Sequence, residues 1–130
     1  MPKAEGLILS FEDTKQIRTD LLETIPYKGE EQIIHLVYPE FSAVCPFSGL
    51  PDIAEVRISY VPLNKIIELK SLKYYYISFR NVGIYQEDMT NRIYQDLIKI
   101  LKPKTLYIET RYNVRGGIEA VCEMGEKPKE

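Results

Sequence analysis

Between Glu40 and Asn81 one short reach of the chain carries Cys45, Asp52, Lys70 and Lys73. Cys45 stands in Glu-Phe-Ser-Ala-Val-Cys-Pro-Phe-Ser-Gly-Leu-Pro-Asp, with Pro39, Pro46 and Pro51 restricting the backbone around it. A thiol in so rigid a loop can be accessible and yet immobile, as a nucleophile must be. Asp52 returns beside Cys45 if the intervening Pro-Phe-Ser-Gly-Leu-Pro segment curls back, and there it can give or take a proton. Lys70 and Lys73 lie on one side of a helix start, with Arg80 further along and Arg115 in an Arg-Gly-Gly turn. Cations grouped near glycine-exposed backbone suit a phosphate. Glu87, preceded by Gln86, opens a second helix, where its carboxylate complements the helix dipole or accepts paired hydrogen bonds from a guanine-type edge. Each of these residues also has an inert reading. Cys45 can be a buried packing residue, Asp52 a turn residue after proline, and the lysines solvated charges. Cys122, in the last strand, reads as core packing.

The elements that must position these groups follow from the periodicity. Met1 to Gly29 has no firm period and forms an arm that packs on the domain or on a neighbour. Gln32 to Tyr38 is rich in β-branched and aromatic residues and reads as a strand ended by Pro39, with His35 half-buried within it. Pro39 to Asp52 reads as a loop. Ala54 to Val61 alternates, with Val56, Ile58 and Tyr60 on one face and Glu55, Arg57 and Ser59 on the other. Lys65 to Glu68 resumes an extended segment. The spacing of Leu72, Tyr75, Tyr76 and Phe79 then predicts a helix, and Met89, Ile93, Leu97, Ile100 and Leu101 a second one opening at Glu87 or Asp88 and ended by Pro103. Thr105 to Tyr112 and Gly117 to Glu123 read as two strands joined by an Asn-Val-Arg-Gly-Gly hairpin.

The order strand, strand, helix, helix, strand, strand predicts an α+β fold, an antiparallel four-stranded sheet with both helices on one face. The other face needs a partner, and closure of several sheets into a ring would remove their exposed edges. The boundaries are an N-terminal arm over 1–31, the domain over 32–123 and a flexible tail over 124–130. A chain of 130 residues with 45% hydrophobic residues makes one domain. A net charge of −2 offers no global field for a nucleic-acid backbone. One His and two Cys are too few for a structural zinc site, and no stretch approaches the roughly 20 apolar residues of a membrane span. These features fit a reducing, cytoplasmic compartment.

The assembled residues resemble the NADPH-dependent 7-cyano-7-deazaguanine reductases, the nitrile reductases of queuosine biosynthesis, in their short single-module form. The likeness covers residues 32 to 123. Its cofactor motif stands unbroken as Glu68, Leu69, Lys70, Ser71, Leu72, Lys73, Tyr74 and Tyr75, extended by Phe79, Arg80 and Asn81; its Cys-Pro pattern is matched by Cys45, Pro46, Gly49, Pro51 and Asp52. The resemblance implies the tunnelling fold, with subunits joined into a barrel, in two stacked rings, and active sites at subunit interfaces. It further implies that Cys45 forms a thioimide with the nitrile, that Asp52 assists proton transfer, and that NADPH delivers hydride in two rounds. By the same resemblance Glu87, Gln86, Glu68 and Ser71 would contact 7-cyano-7-deazaguanine, while Lys70, Ser71, Lys73 and Arg115 would hold NADPH. No direct nucleic-acid contact is implied. One departure is Gln86, where the family usually has histidine. The alternative is an amidinotransferase-type enzyme that forms the same thioimide on cyano-deazaguanine in tRNA and completes it with ammonia; the retained Lys70, Ser71 and Lys73 favour the reductase. A zinc cyclohydrolase of the same fold lacks its ligands here, and an intact Cys45 and Asp52 argue against an inert ring-forming binding module.

Overall fold

Alternating β-branched and aromatic residues build the sheet that carries the site. The computed structural model describes residues 3–129. In chain order its elements are β1 (Thr24–Pro26), β2 (Ile34–Val44), β3 (Pro51–Val61), β4 (Lys65–Ile67), α1 (Leu69–Ile77), α2 (Gln86–Leu101), β5 (Thr105–Tyr112) and β6 (Val121–Gly125), with 3₁₀ turns at Thr14–Gln16 and Thr19–Leu21. The main sheet is antiparallel throughout, in the order β2-β3-β5-β6, and β1 pairs with β4 in a separate two-stranded ribbon.

Ala54, Val56, Ile58 and Tyr60 of β3 are buried, while Glu55, Arg57 and Ser59 face the other way. Against the buried face lie Leu72, Tyr75 and Tyr76 of α1, the following Phe79, and Met89, Ile93, Leu97 and Leu101 of α2. Each such side chain contributes about 1.5–3 kcal/mol by leaving water. Phe79 packs between Phe41 and Tyr75, with ring centroids 5.2 and 5.3 Å away. The opposite sheet face carries charged and polar side chains and has no covering element among the described residues.

Local chemistry sets the helix ends. Glu68 caps α1 by accepting from the Lys70 and Ser71 amides at 2.8 and 2.9 Å. Glu87 and Asp88 in the first turn of α2 complement its dipole, and Lys102 ends it in the left-handed conformation (φ 46°) just before Pro103.

Several expectations are corrected. β2 does not stop at Pro39 but runs on to Val44, because β2 is an edge strand and its register shifts between Tyr38 and Phe41, where a missing N–H interrupts little. The expected loop therefore shrinks to residues 45–50, and Asp52 lies in a strand. The arm is not free of strands: Thr24–Pro26 pairs with Lys65–Ile67, a run too short for alternation to be read. The order is consequently four strands, two helices, two strands. α1 ends at Ile77, where Ser78 Oγ donates to the Tyr75 carbonyl at 2.6 Å, short of the full stripe to Phe79. The last strand begins at Val121, not Gly117, because Gly116 and Gly117 adopt positive φ (57° and 81°) and Arg115 and Ile118 close their own tight turn. His35 is exposed, on the open face, 2.6 Å from Ser59 Oγ.

The N-terminal arm packs within its own chain. Ile17 and Leu22 are buried in the core, and Thr19 donates to the buried Asp96 at 3.0 Å. Asp96 also accepts from Tyr75 Oη at 2.6 Å and Arg92 Nε at 2.9 Å, so one carboxylate ties the arm to both helices. Of the segment read as a tail, Met124 and Gly125 complete β6, the Glu126 amide donates to the Leu106 carbonyl at 3.0 Å, and residue 130 lies outside the described residues.

Candidate active site

The end of β2 is tied to the approach to α2. The Val44 amide donates to the Val82 carbonyl at 3.0 Å, and the Ile84 amide returns to the Val44 carbonyl at 3.2 Å. These two bonds bring the Cys45 loop up to Gln86 and Glu87 at the start of α2. The loop closes through Cys45 N–H to Leu50 O (2.9 Å) and Gly49 N–H to Cys45 O (2.8 Å). Gly49 is required twice over: its φ is +72°, and a Cβ there would sit 2.1 Å from the Leu9 carbonyl oxygen. The arm clamps both sides, with Leu9 N–H on Ser48 O at 2.9 Å, Glu12 N–H on Asn81 O at 2.7 Å and Gly83 N–H on Glu12 O at 2.9 Å.

The backbone N–H of Ser48, then that of Phe47, holds the Cys45 thiol below its ordinary range; burial and the nearby Asp52 charge oppose this. Amide donors stabilise a thiolate by placing positive dipole ends on the developing charge. Cys122 behaves oppositely, its thiol pushed up by burial and by Glu87. Of the two free cysteines, Cys45 is therefore the more readily ionised.

Cys45 opens into a cavity of about 280 Å³ whose polar wall includes Asp52, Gln86, Glu87, Tyr112 and Arg115. Asp52, at the start of β3, is 7% exposed and accepts a charge-assisted hydrogen bond from the Arg115 guanidinium, which reaches over from the β5–β6 loop. Gln86 uses its amide nitrogen to hold that loop, donating to the Ala120 carbonyl at 2.9 Å and the Thr110 carbonyl at 3.3 Å. It acts as a strut between α2 and the β5–β6 connection, with no acid function. Tyr112 is the residue that sequence reasoning missed. It ends the buried row Leu106, Ile108, Thr110, Tyr112, and nothing in that alternation distinguishes it from a packing residue.

The expected phosphate cluster is not gathered within one chain. Lys73 and Arg80 share a cavity of about 370 Å³ with Tyr38, Glu40, Ser42 and Tyr76. Lys70 lines a separate depression with Glu23, Glu68, Ser71 and Tyr74, and Arg115 lies in the Cys45 cavity. Three residues on a helix leave about 60° between side chains, and here that is enough for Lys70 and Lys73 to open onto different depressions. Glu68 and Ser71 are engaged in the start of α1: Ser71 Oγ donates to the Glu68 carbonyl at 2.7 Å and accepts from the Glu23 amide at 3.0 Å. No described helix is long and apolar enough to cross a membrane.

Residues 51–130 match the family model described as QueF-like protein. Over 126 residues the chain is 56% identical to the NADPH-dependent 7-cyano-7-deazaguanine reductases of Thermotoga petrophila and Thermotoga maritima, spanning 96% of this chain and 92% of each relative. The enzyme of the same name from Caldicellulosiruptor bescii is 49% identical over 80% of this chain and 81% of its own length. In fold, the chain is similar to the solved apo structure of the archaeosine synthase QueF-Like, with a TM-score of 0.63 over 78% of this chain and 100% of that one, at 20% identity. The match of sequence over nearly the whole length, with the Cys45 cavity in place, makes this chain a member of the QueF-like family.

Proposed function

We propose that the chain is an NADPH-dependent 7-cyano-7-deazaguanine reductase that converts the nitrile to an aminomethyl group through a Cys45 thioimide. The observation that carries this reading is the Cys45 thiol, lowered by two backbone amides and opening into a cavity with Asp52 and Glu87 on its wall. A nitrile is a weak electrophile, and its attack needs a soft nucleophile together with protonation of its nitrogen.

In this reading the Cys45 sulfur bonds to the nitrile carbon as one carbon–nitrogen π bond breaks, and Asp52 relays the thiol proton to the nitrogen. Glu87 accepts the N–H groups of the deazaguanine edge and fixes the ring. NADPH, when bound, would supply one hydride in each of two successive rounds, the two that nitrile-to-amine conversion consumes. Cys45 departs as a thiolate after the first reduction, leaving an imine that the cavity walls shield from water until the second. Asp52 conducts the remaining protons to nitrogen.

The residues present fit such a cofactor. Lys73 and Arg80 stand beside the stacked rings of Tyr38 and Tyr76, whose centroids are 4.8 Å apart, and cations next to an aromatic pair suit phosphate and a flat base. Lys70, Ser71 and Arg115 join this set, and Glu68 and Ser71 the substrate side, only when a second copy completes the site. The separation of these groups into three depressions supports assembly through the free edges β2 and β6 into the ring-shaped tunnelling-fold barrel.

The test is the stoichiometry of NADPH oxidation with purified protein and 7-cyano-7-deazaguanine. Two cofactors oxidised per aminomethyl product are expected. Formation of an adduct without oxidation, discharged by ammonia, would replace this reading with the amidinotransferase.

A further inference from the structure

Among the polar residues on the wall of the Cys45 cavity that the mechanism above does not use, one is buried with its polar atom unpaired. Tyr112 is 7% exposed, lines the cavity, and its hydroxyl is fully buried with no hydrogen-bond partner among the described residues. A buried hydroxyl left unpaired costs on the order of 1–3 kcal/mol and persists where something other than stability retains it. Of the other β5 hydroxyls, Thr110 Oγ1 lies 2.5 Å from Thr90 Oγ1, and Thr105 Oγ1, also without a partner, stands at the far end of the strand, outside the cavity.

The position of Tyr112 defines what the hydroxyl can meet. Its Cα is paired with Ala54, two residues along β3 from Asp52 and on the same buried face. Burial first, and then the charges of Asp52, Cys122 and Glu87, push its phenol above the ordinary range, so it stays protonated and donates. The hydroxyl donates to neither Glu87 nor Asp52, whose Oδ1 accepts from Arg115. The hydroxyl is thus a donor without an acceptor among the described residues, on a side chain that lines the cavity.

Resting on the reductase reading, we infer that Tyr112 is a specificity-determining residue whose hydroxyl donates to the ring carbonyl of the deazaguanine. On that ring the carbonyl stands between the N–H edge assigned to Glu87 and the carbon bearing the nitrile assigned to Cys45 and Asp52. A donor retained at that place accepts a 6-oxo purine-like ring and rejects its 6-amino counterpart, which would set N–H against O–H. A site built to hydrogen-bond one group discriminates against the analogue lacking it, because its buried donor is then left unpaired.

The experiment compares Tyr112→Phe with the unaltered protein by calorimetric binding of 7-cyano-7-deazaguanine and of the analogue whose ring carbonyl is replaced by an amino group, alongside thermal unfolding. The unaltered protein is expected to prefer the oxo ligand. Tyr112→Phe should weaken oxo binding about tenfold, leave the amino analogue unchanged or improved, and keep or raise Tm, since a partnerless hydroxyl is removed. Equal binding of the oxo ligand by both proteins overturns the inference. So does a parallel loss for both ligands with a fall in Tm, which would make Tyr112 a structural residue. Failure of the unaltered protein to bind 7-cyano-7-deazaguanine at all would instead sink the reductase reading.

Discussion

The Arg115 guanidinium donates to the Asp52 carboxylate across the Cys45 cavity, joining the β5–β6 loop to the first turn of β3. Asp52 is nearly buried, while half of the Arg115 side chain meets solvent. The pair therefore fixes the direction of the carboxylate to which the proposed mechanism gives proton transfer more than it stabilises the fold, since a half-exposed ion pair adds roughly 0–1 kcal/mol.

Arg115→Met should accordingly lower kcat/KM about tenfold while moving unfolding free energy by less than about 1 kcal/mol. Asp52→Asn, which keeps the shape and removes the proton-transfer function, should lower kcat by about 10²-fold or more. Steady-state kinetics paired with denaturant unfolding separate the two effects. Unchanged kinetics in Arg115→Met would mean that the pairing is incidental to the chemistry.

The two cysteines should differ in reactivity. Cys45 is held below the ordinary thiol range by the Ser48 and Phe47 amides, and Cys122 is raised by burial and Glu87. The thiolate is the form present above a thiol's pKa, so iodoacetamide labelling of Cys45 should set in at lower pH than that of Cys122 and fall away as pH drops through the Cys45 value. Peptide mass spectrometry over a pH series measures both. Equal profiles, or earlier labelling of Cys122, would contradict the account of the loop.

Gln86 should prove structural. Gln86→Leu removes one donor each from the Thr110 and Ala120 carbonyls, leaving Ala120 the Tyr112 amide at 3.2 Å, and should destabilise the fold by about 1–3 kcal/mol for the two bonds lost. Because the strut holds the loop carrying Arg115, activity should fall in step with that loop's amide protection, which hydrogen exchange reads. Gln86→His presents at most one ring N–H in that direction, so it should keep one of the two bonds and show an intermediate loss.

Gly49→Ala tests the clamp on the nucleophile loop. The added Cβ meets the Leu9 carbonyl oxygen at 2.1 Å at a φ of +72°, so the loop or the arm must move. A loss of about 1–3 kcal/mol is expected, with slower labelling of Cys45. Unfolding and labelling rates together check this, and a variant unchanged in both would mean that Leu9 does not hold the loop.

What was legible in the sequence was what repeats. Val56, Ile58 and Tyr60 announce a strand face by alternation, and Leu72, Tyr75, Tyr76 and Phe79 a helix face by their spacing, and the core is built from them. Pro39 misled because its meaning depends on being at a sheet edge with a shifted register, which is a property of the pairing and not of the residue. The clamp of Leu9 and Glu12 on Ser48, Asn81 and Gly83 is made by backbone groups, which every sequence supplies alike. Of the cavity, Cys45 and Asp52 could be named from spacing. Tyr112 could not, because a strand tyrosine reads as packing until its hydroxyl is found without a partner. Lys70 and Lys73 show the reverse: three residues apart in sequence, they open onto separate depressions.

The central claim is that Cys45 is the nucleophile toward a nitrile, and intact-protein mass spectrometry with 7-cyano-7-deazaguanine in the absence of NADPH tests it most directly. The account predicts a mass increase equal to one whole ligand per chain, located on the Cys45 peptide, absent in Cys45→Ala and discharged on adding NADPH. An adduct that persists in Cys45→Ala, or that maps to Cys122, would contradict it.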